Sequence, residues 1–188
     1  MNEHPSRRKF LKIAAATGAA VAMPAVRAQA ATASSPAMIG DALVYADGPN
    51  AKKPVKAADL KEGVAVLALV ADPKTRAARD PVNSSVVLVK LKPAEIKDSS
   101  KKNAAGSVVA YSSQCTHQGC PAQEIGSLGQ GKGNIICTCH GSIYDPRDNA
   151  TVLGGPAPRR LAALPLKLDV SGQLLAAGTF TSKVGPGK

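Results

Sequence analysis

Two short stretches hold all four cysteines and two of the three histidines, and they must meet in space: Cys115-Thr116-His117-Gln118-Gly119-Cys120 and Cys137-Thr138-Cys139-His140-Gly141-Ser142-Ile143-Tyr144-Asp145. Thiolate and imidazole together suit soft or borderline metals. One Cys and one His from each stretch make a Cys₂His₂ donor set, for which zinc is the plainest occupant. Two features speak against zinc. Simple zinc fingers follow a Cys pair with a His pair on a helix, whereas each stretch here mixes the two types. Cys120 and Cys139 also lie beside the ligand candidates and require a role. Two disulfides would use four cysteines but leave both histidines without a task. The third histidine, His4, lies far from both stretches in sequence.

The rest of the chain reads as delivery and support. At 188 residues it fits one domain plus accessories. Apolar content is 44%, but aromatic content is 3% with no Trp, so the core is expected to be Val, Leu, Ile and Ala. Strands are expected at Ala42–Tyr45, at the apolar run Gly63–Val70, at Val86–Leu91, and at Val108–Ser113, which runs straight into the first stretch. Lys92–Gly106 is a charged excursion with a helical turn around Pro93–Ile96. The Gly-rich segment Ser127–Asn134 is a loop without the phosphate-cradle pattern. Ile135 and Ile136 begin the strand that delivers the second stretch. Gly154–Arg160 is a rigid loop, and Leu164–Val170 with Gln173–Ala177 forms a terminal hairpin around Ser171-Gly172. Many short strands with few helical patterns imply an all-β sandwich or barrel.

Ser6-Arg7-Arg8-Lys9-Phe10-Leu11-Lys12, followed by an Ala-rich run and Ala28-Gln29-Ala30, resembles a twin-arginine export signal with its cleavage site. The resemblance implies export of a folded, cofactor-loaded protein to the periplasm, where disulfides persist. Phe10–Val26 is 17 residues, about 25 Å as a helix, against about 30 Å of bilayer core. Cleavage is therefore expected over anchoring by an uncleaved signal. The formal charge of +11 raises nucleic acid as a partner. Lysines scattered singly or in pairs, with almost no aromatic residues to stack bases, imply a solvated surface instead. An acidic docking partner is the alternative.

Cys-x-His-x-Gly-Cys, Cys-x-Cys-His-Gly-Ser-x-Tyr-Asp and the following Gly-Pro-Ala-Pro resemble the Rieske proteins, most strongly over residues 108–177. The resemblance implies an antiparallel β-sandwich or barrel with a small cluster-binding subdomain formed by two loops. It divides the chain into a signal at 1–30, an N-terminal arm at 31–62 and a Rieske domain at 63–188, with the cluster-binding part at about 111–160. It implies a [2Fe-2S] cluster with Cys115 and Cys137 on one iron and His117 and His140 on the other. Cys120 and Cys139 would form a disulfide joining the loops. Ser142 would donate a hydrogen bond to a bridging sulfide and Tyr144 to a ligating sulfur. With both donors present, the potential is expected in the upper part of the Rieske range of roughly −150 to +300 mV. Thr138 departs from the proline usual between the two cysteines of the second stretch, which loosens that loop but removes no ligand.

The export signal and Cys120/Cys139 set the chain apart from ring-hydroxylating oxygenases and their ferredoxins. It resembles the small subunit of arsenite oxidase, which implies a large catalytic oxidoreductase subunit as donor and a c-type cytochrome or copper protein downstream. It also resembles the quinol-oxidising subunit of cytochrome bc-type complexes, with cytochrome b and c1 as partners. The plain alternative is a metal-stapled binding module without redox chemistry. No nucleophile–base pair stands outside the two stretches, so no catalytic residue is assigned and the chain is expected to transfer electrons within a complex rather than act as a catalyst alone.

Overall fold

The computed structural model describes residues 37–187; the signal and its cleavage site lie outside them. Ten strands carry the fold: β1 (Ala42–Tyr45), β2 (Ala65–Ala71), β3 (Ser85–Lys90), β4 (Val108–Ser112), β5 (Glu124–Ile125), β6 (Ile135–Cys137), β7 (Ser142–Asp145), β8 (Thr151–Gly154), β9 (Leu166–Leu168) and β10 (Leu174–Ala176). A single short helix, α1 (Asp98–Lys101), and three 3₁₀ turns complete the described residues. The strands form two antiparallel sheets, ordered β4-β3-β2-β1-β10-β9 and β5-β6-β7-β8. Backbone bonds from Ser112 to Ala162 (2.8 Å) and from Leu164 to Ala110 (3.0 Å) lay the approach to β9 against β4, so the larger sheet nearly closes on itself. The fold is all-β.

The continuous apolar runs of β3 and β4 follow from their position. Side chains alternate between the two faces of a strand, and both faces here are covered. Val86, Leu88, Val108 and Ala110 point into the interior of the larger sheet with Leu43, Val70, Leu164 and Leu174. Val87, Val89, Val109 and Tyr111 point the other way, into a second core with Cys115, Ile135, Cys137, Tyr144 and Leu161. The shared wall β3–β4 therefore fastens the site to the barrel.

The N-terminal stretch from Ala37 onward packs into the sheet rather than beside it. β1 pairs with β2 on one side and with β10 on the other. The terminal hairpin has shorter strands than its apolar pattern suggests. Asp169 accepts the amides of Ser171 and Gln173 (2.8 and 2.9 Å), so its side chain turns the backbone before Val170 can join the ladder. The charged excursion carries a 3₁₀ turn at Pro93–Glu95 and then α1. It braces the β7–β8 turn: Ser100 Oγ donates to the Arg147 carbonyl (2.9 Å), and Lys97 and Ser99 hold Asp148, while Tyr111 of β4 donates to the Pro146 carbonyl (2.8 Å).

One ion pair lies deep enough to matter for stability. The Arg79 guanidinium grips Asp41 at 2.7 Å, with the Asp41 side chain 2% exposed and that of Arg79 11%. Truncating one partner of such a pair leaves the other charge buried alone. Arg79→Ala is expected to destabilise the fold by about 3 kcal/mol, read from urea unfolding. A loss below about 0.5 kcal/mol would match a surface pair instead.

Candidate metal centre

The loop after β4 and the β6–β7 hairpin bring both stretches together at one end of the smaller sheet. Cys115 and Cys137 are buried, 1% and 0% exposed, in the second core. His117 is half-buried and His140 exposed. The two imidazole rings are perpendicular with centroids 4.7 Å apart. Cys120, Cys137 and Cys139 place their sulfurs within 4.8 Å of one another. The site thus has a thiol end against the core and an imidazole end toward solvent.

Local geometry explains how short loops hold these positions. The Cys115 amide bonds the Cys120 carbonyl (2.8 Å), and the Gly119 amide bonds the Cys115 carbonyl (2.9 Å), closing the first stretch on itself. The Gly141 amide does the same to the Cys137 carbonyl (3.0 Å). Gly155 lies flat over the second stretch at φ +80°, where an added Cβ would stand 2.5 Å from both the Gly141 oxygen and Ser142 Cα. Only a residue without Cβ brings the Gly154–Arg160 loop this close.

Tyr144 is fully buried and its hydroxyl meets the Cys115 sulfur at 3.1 Å. Burial, then the neighbouring Cys115, pushes the Tyr144 hydroxyl up to about 12, so it stays protonated and able to donate at neutral pH. Burial acts to raise the Cys115 thiol too, but the bonds from Tyr144 and the His117 backbone outweigh it and hold Cys115 below the usual thiol value. Burial and the adjacent Cys115 push Cys137 up to about 12. Thr116 accompanies this group: its amide donates to the Tyr144 oxygen (3.3 Å) and its hydroxyl to the Arg159 carbonyl (2.6 Å). Thr116 and Arg159 are not evident from the sequence, because their partners are a distant hydroxyl and backbone carbonyls.

Among the described residues four buried side-chain polar atoms have no partner in the protein, and two of them, Ser142 Oγ and His117 Nδ1, lie at this site. Buried polar groups are rarely left unpaired. Here both belong to the group that also contains the two buried thiols. Two thiolates, two imidazoles and an unspent hydroxyl donor suit an iron–sulfur cluster with mixed ligation. The residues fit such a group.

Comparison with known proteins gives the same answer. A family model described as the Rieske [2Fe-2S] domain matches residues 56–165, more than half of the chain. A twin-arginine translocation pathway signal model matches residues 4–24. Among the described residues no helix is long and apolar enough to cross a membrane. A protein named as the Rieske subunit of a respiratory nitrate reductase, from Haloferax mediterranei, is 42% identical over 78 residues, covering 42% of this chain and 33% of that protein. The cytochrome bc1 complex Rieske iron-sulfur subunit of Mycobacterium tuberculosis is 34% identical over 110 residues, 56% of this chain and 25% of that protein. The corresponding subunit of Streptomyces lividans is 36% identical over 104 residues, 55% of this chain and 59% of that protein. The chain thus spans less than two thirds of each of these relatives. Among solved structures, the soluble domain of Rieske protein II from Sulfolobus acidocaldarius aligns with 53% of this chain and 66% of that one, at 30% identity and a TM-score of 0.39. The cyanobacterial plasma membrane Rieske protein from Synechocystis aligns with 64% of this chain and 93% of that one, at 23% identity and a TM-score of 0.41. The match over residues 56–165 contains both Cys/His stretches and the Gly155 loop, and the chain belongs to the Rieske [2Fe-2S] domain family.

Proposed function

We propose that the chain carries single electrons as the iron–sulfur subunit of an exported respiratory oxidoreductase. The observation that supports this most is the polarity of the site: thiols buried in the core at one end, an exposed imidazole at the other. Cys115 and Cys137 would hold one iron, His117 and His140 the other. A bound cluster of this kind supplies one-electron redox chemistry, at a potential raised by imidazole ligation. Tyr144, whose hydroxyl lies 3.1 Å from the Cys115 sulfur, and Ser142, whose hydroxyl is buried without a partner, would supply hydrogen-bond donors to it. The wall formed by β3 and β4 keeps water from the thiol end, and His140 faces the partner. The twin-arginine signal supports a periplasmic location.

The donor is proposed to be a large catalytic oxidoreductase subunit, as for the small subunit of arsenite oxidase, with a c-type cytochrome or copper protein downstream. The nitrate reductase relative supports a catalytic partner of this general kind. A second reading, the quinol-oxidising subunit of a cytochrome bc-type complex, draws support from the bc1 relatives. Purification of the exported chain from its native membranes and periplasm separates the two. A co-purifying molybdopterin subunit supports the first, and a cytochrome b the second. Colourless protein with zinc in place of iron and acid-labile sulfide would replace both with a non-redox module.

A disulfide between Cys120 and Cys139, whose sulfurs lie in the same 4.8 Å group, is proposed to join the two loops. Cys120→Ser is then expected to cost about 2–4 kcal/mol, read as a lower thermal midpoint under oxidising conditions. A variant that keeps both its cluster and its midpoint would show that the staple is not needed.

A further inference from the structure

Residues 181–187 cross beside the first Cys/His stretch, and one side chain pins them there. The Arg159 guanidinium donates to the carbonyls of Lys183 (2.9 Å) and Gly185 (2.6 Å). Upstream, the Thr181 amide bonds the Ala163 carbonyl (2.9 Å), and the Thr181 hydroxyl accepts the Ala163 amide (3.1 Å). Downstream, the Pro186 ring packs on Gly119, where an added Cβ would come within 3.3 Å of it. Gly185 is buried, close against the Gln114 side chain. Arg159 is also fixed from the other side, since its carbonyl accepts the Thr116 hydroxyl (2.6 Å). One residue thus ties the Gly155 loop, the first stretch and segment 181–187 together.

The two imidazoles differ in exposure. His117 sits in a cleft of about 400 Å³ lined by Thr116, Pro158, Arg159 and Gly187. His140 is exposed. Arg160 makes no comparable bonds; its charge acts on Asp148.

We propose that Arg159 is a positioning residue: by strapping segment 181–187 across the first stretch, it screens His117 and leaves His140 as the imidazole presented to a redox partner. The proposal rests on both histidines being cluster ligands. The planar guanidinium fork suits two carbonyls at once, which the single ammonium of lysine does not reproduce.

The test is residue-specific modification of the loaded, full-length protein with diethyl pyrocarbonate. Peptide mass mapping follows His117 and His140 separately. In the unaltered protein His140 is expected to react faster. Loss of two hydrogen bonds on Arg159→Ala should raise the population with the strap open, and so the His117 rate, by roughly tenfold. The His140 rate should stay within about twofold, and Arg160→Ala should change neither. If Arg159→Ala does not fold, a chain ending at Ser182 removes the strap directly and must raise the His117 rate in the same way. An unchanged His117 rate on loss of the strap, or an equal rise at both histidines, would overturn the proposal. Unaltered protein isolated without iron would overturn the cluster reading instead, and the same two rates measured on that protein would still judge the strap.

Discussion

Gly155→Ala is expected to cost about 3–4 kcal/mol and most of the bound iron, whereas Gly172→Ala costs about 1 kcal/mol and no iron. Both glycines have the same left-handed backbone, φ +80° and +78°. At Gly172, in the β9–β10 turn, an added Cβ meets nothing within 4 Å, so only the backbone penalty applies. At Gly155 the same Cβ would stand 2.5 Å from the Gly141 oxygen and Ser142 Cα. Those are backbone atoms of the stretch that carries His140, and they cannot turn aside as a side chain would. Either the Gly154–Arg160 loop lifts or the second stretch is displaced, and both disturb the ligand set. Chemical unfolding of the two variants side by side isolates the contact from the backbone term, and iron analysis reports the site. Equal losses for the two variants would mean that the loop does not press on the second stretch.

That contact also marks the boundary of what the sequence makes legible. β3 and β4 stand out as continuous apolar runs because both of their faces are buried, one in each core. In the smaller sheet only β6, marked by Ile135 and Ile136, is legible in this way. β7 is Ser-Ile-Tyr-Asp; of its inward positions, Ser142 is a polar side chain of the site, and Tyr144 fills the core with its ring while its hydroxyl serves the site. β5 is only two residues long, and β8 is Thr-Val-Leu-Gly with a bulge opposite Ile143 and Tyr144. Hydrophobic alternation fails where strand positions are given over to the site.

The Cys and His types at their spacings single out the two stretches, since few other chemistries need those donors together. Spacing does not show that Ser142 Oγ and His117 Nδ1 are buried without partners, nor that Tyr144 reaches Cys115. Arg159 is invisible for a different reason. Its guanidinium binds main-chain carbonyls 24 and 26 residues away, and any residue could supply those carbonyls. The pairing of β1 between β2 and β10 is likewise a long-range outcome, legible as a strand but not as the middle of a sheet.

Removing the two hydroxyl donors is expected to lower the midpoint potential by about 40–50 mV each, and by nearly 100 mV together. Tyr144→Phe removes the donor at 3.1 Å from the Cys115 sulfur while keeping the ring that fills the core. Ser142→Ala removes a fully buried hydroxyl with no partner in the protein. Adding an electron makes the sulfurs better acceptors, so a donor fixed near them stabilises the reduced state more than the oxidised one. A hydrogen bond to a charged group contributes about 1.5–3 kcal/mol. If the difference between the two redox states is about 1 kcal/mol per donor, it corresponds to about 40–50 mV for one electron, since a tenfold change is 59 mV. The donors approach from different residues, so their effects should nearly add. Tyr144→Phe also leaves the Thr116 amide, now 3.3 Å from the hydroxyl, without that acceptor. It should therefore lose about 1–2 kcal/mol of stability, a penalty that Ser142→Ala avoids. Potentiometric titration followed by the cluster's electron paramagnetic resonance signal reads the midpoint, and urea unfolding reads the stability. A Tyr144→Phe variant that loses stability but holds its midpoint within about 10 mV would assign the hydroxyl to loop anchoring alone, because a tuning hydrogen bond must move the potential in proportion to its redox-dependent strength.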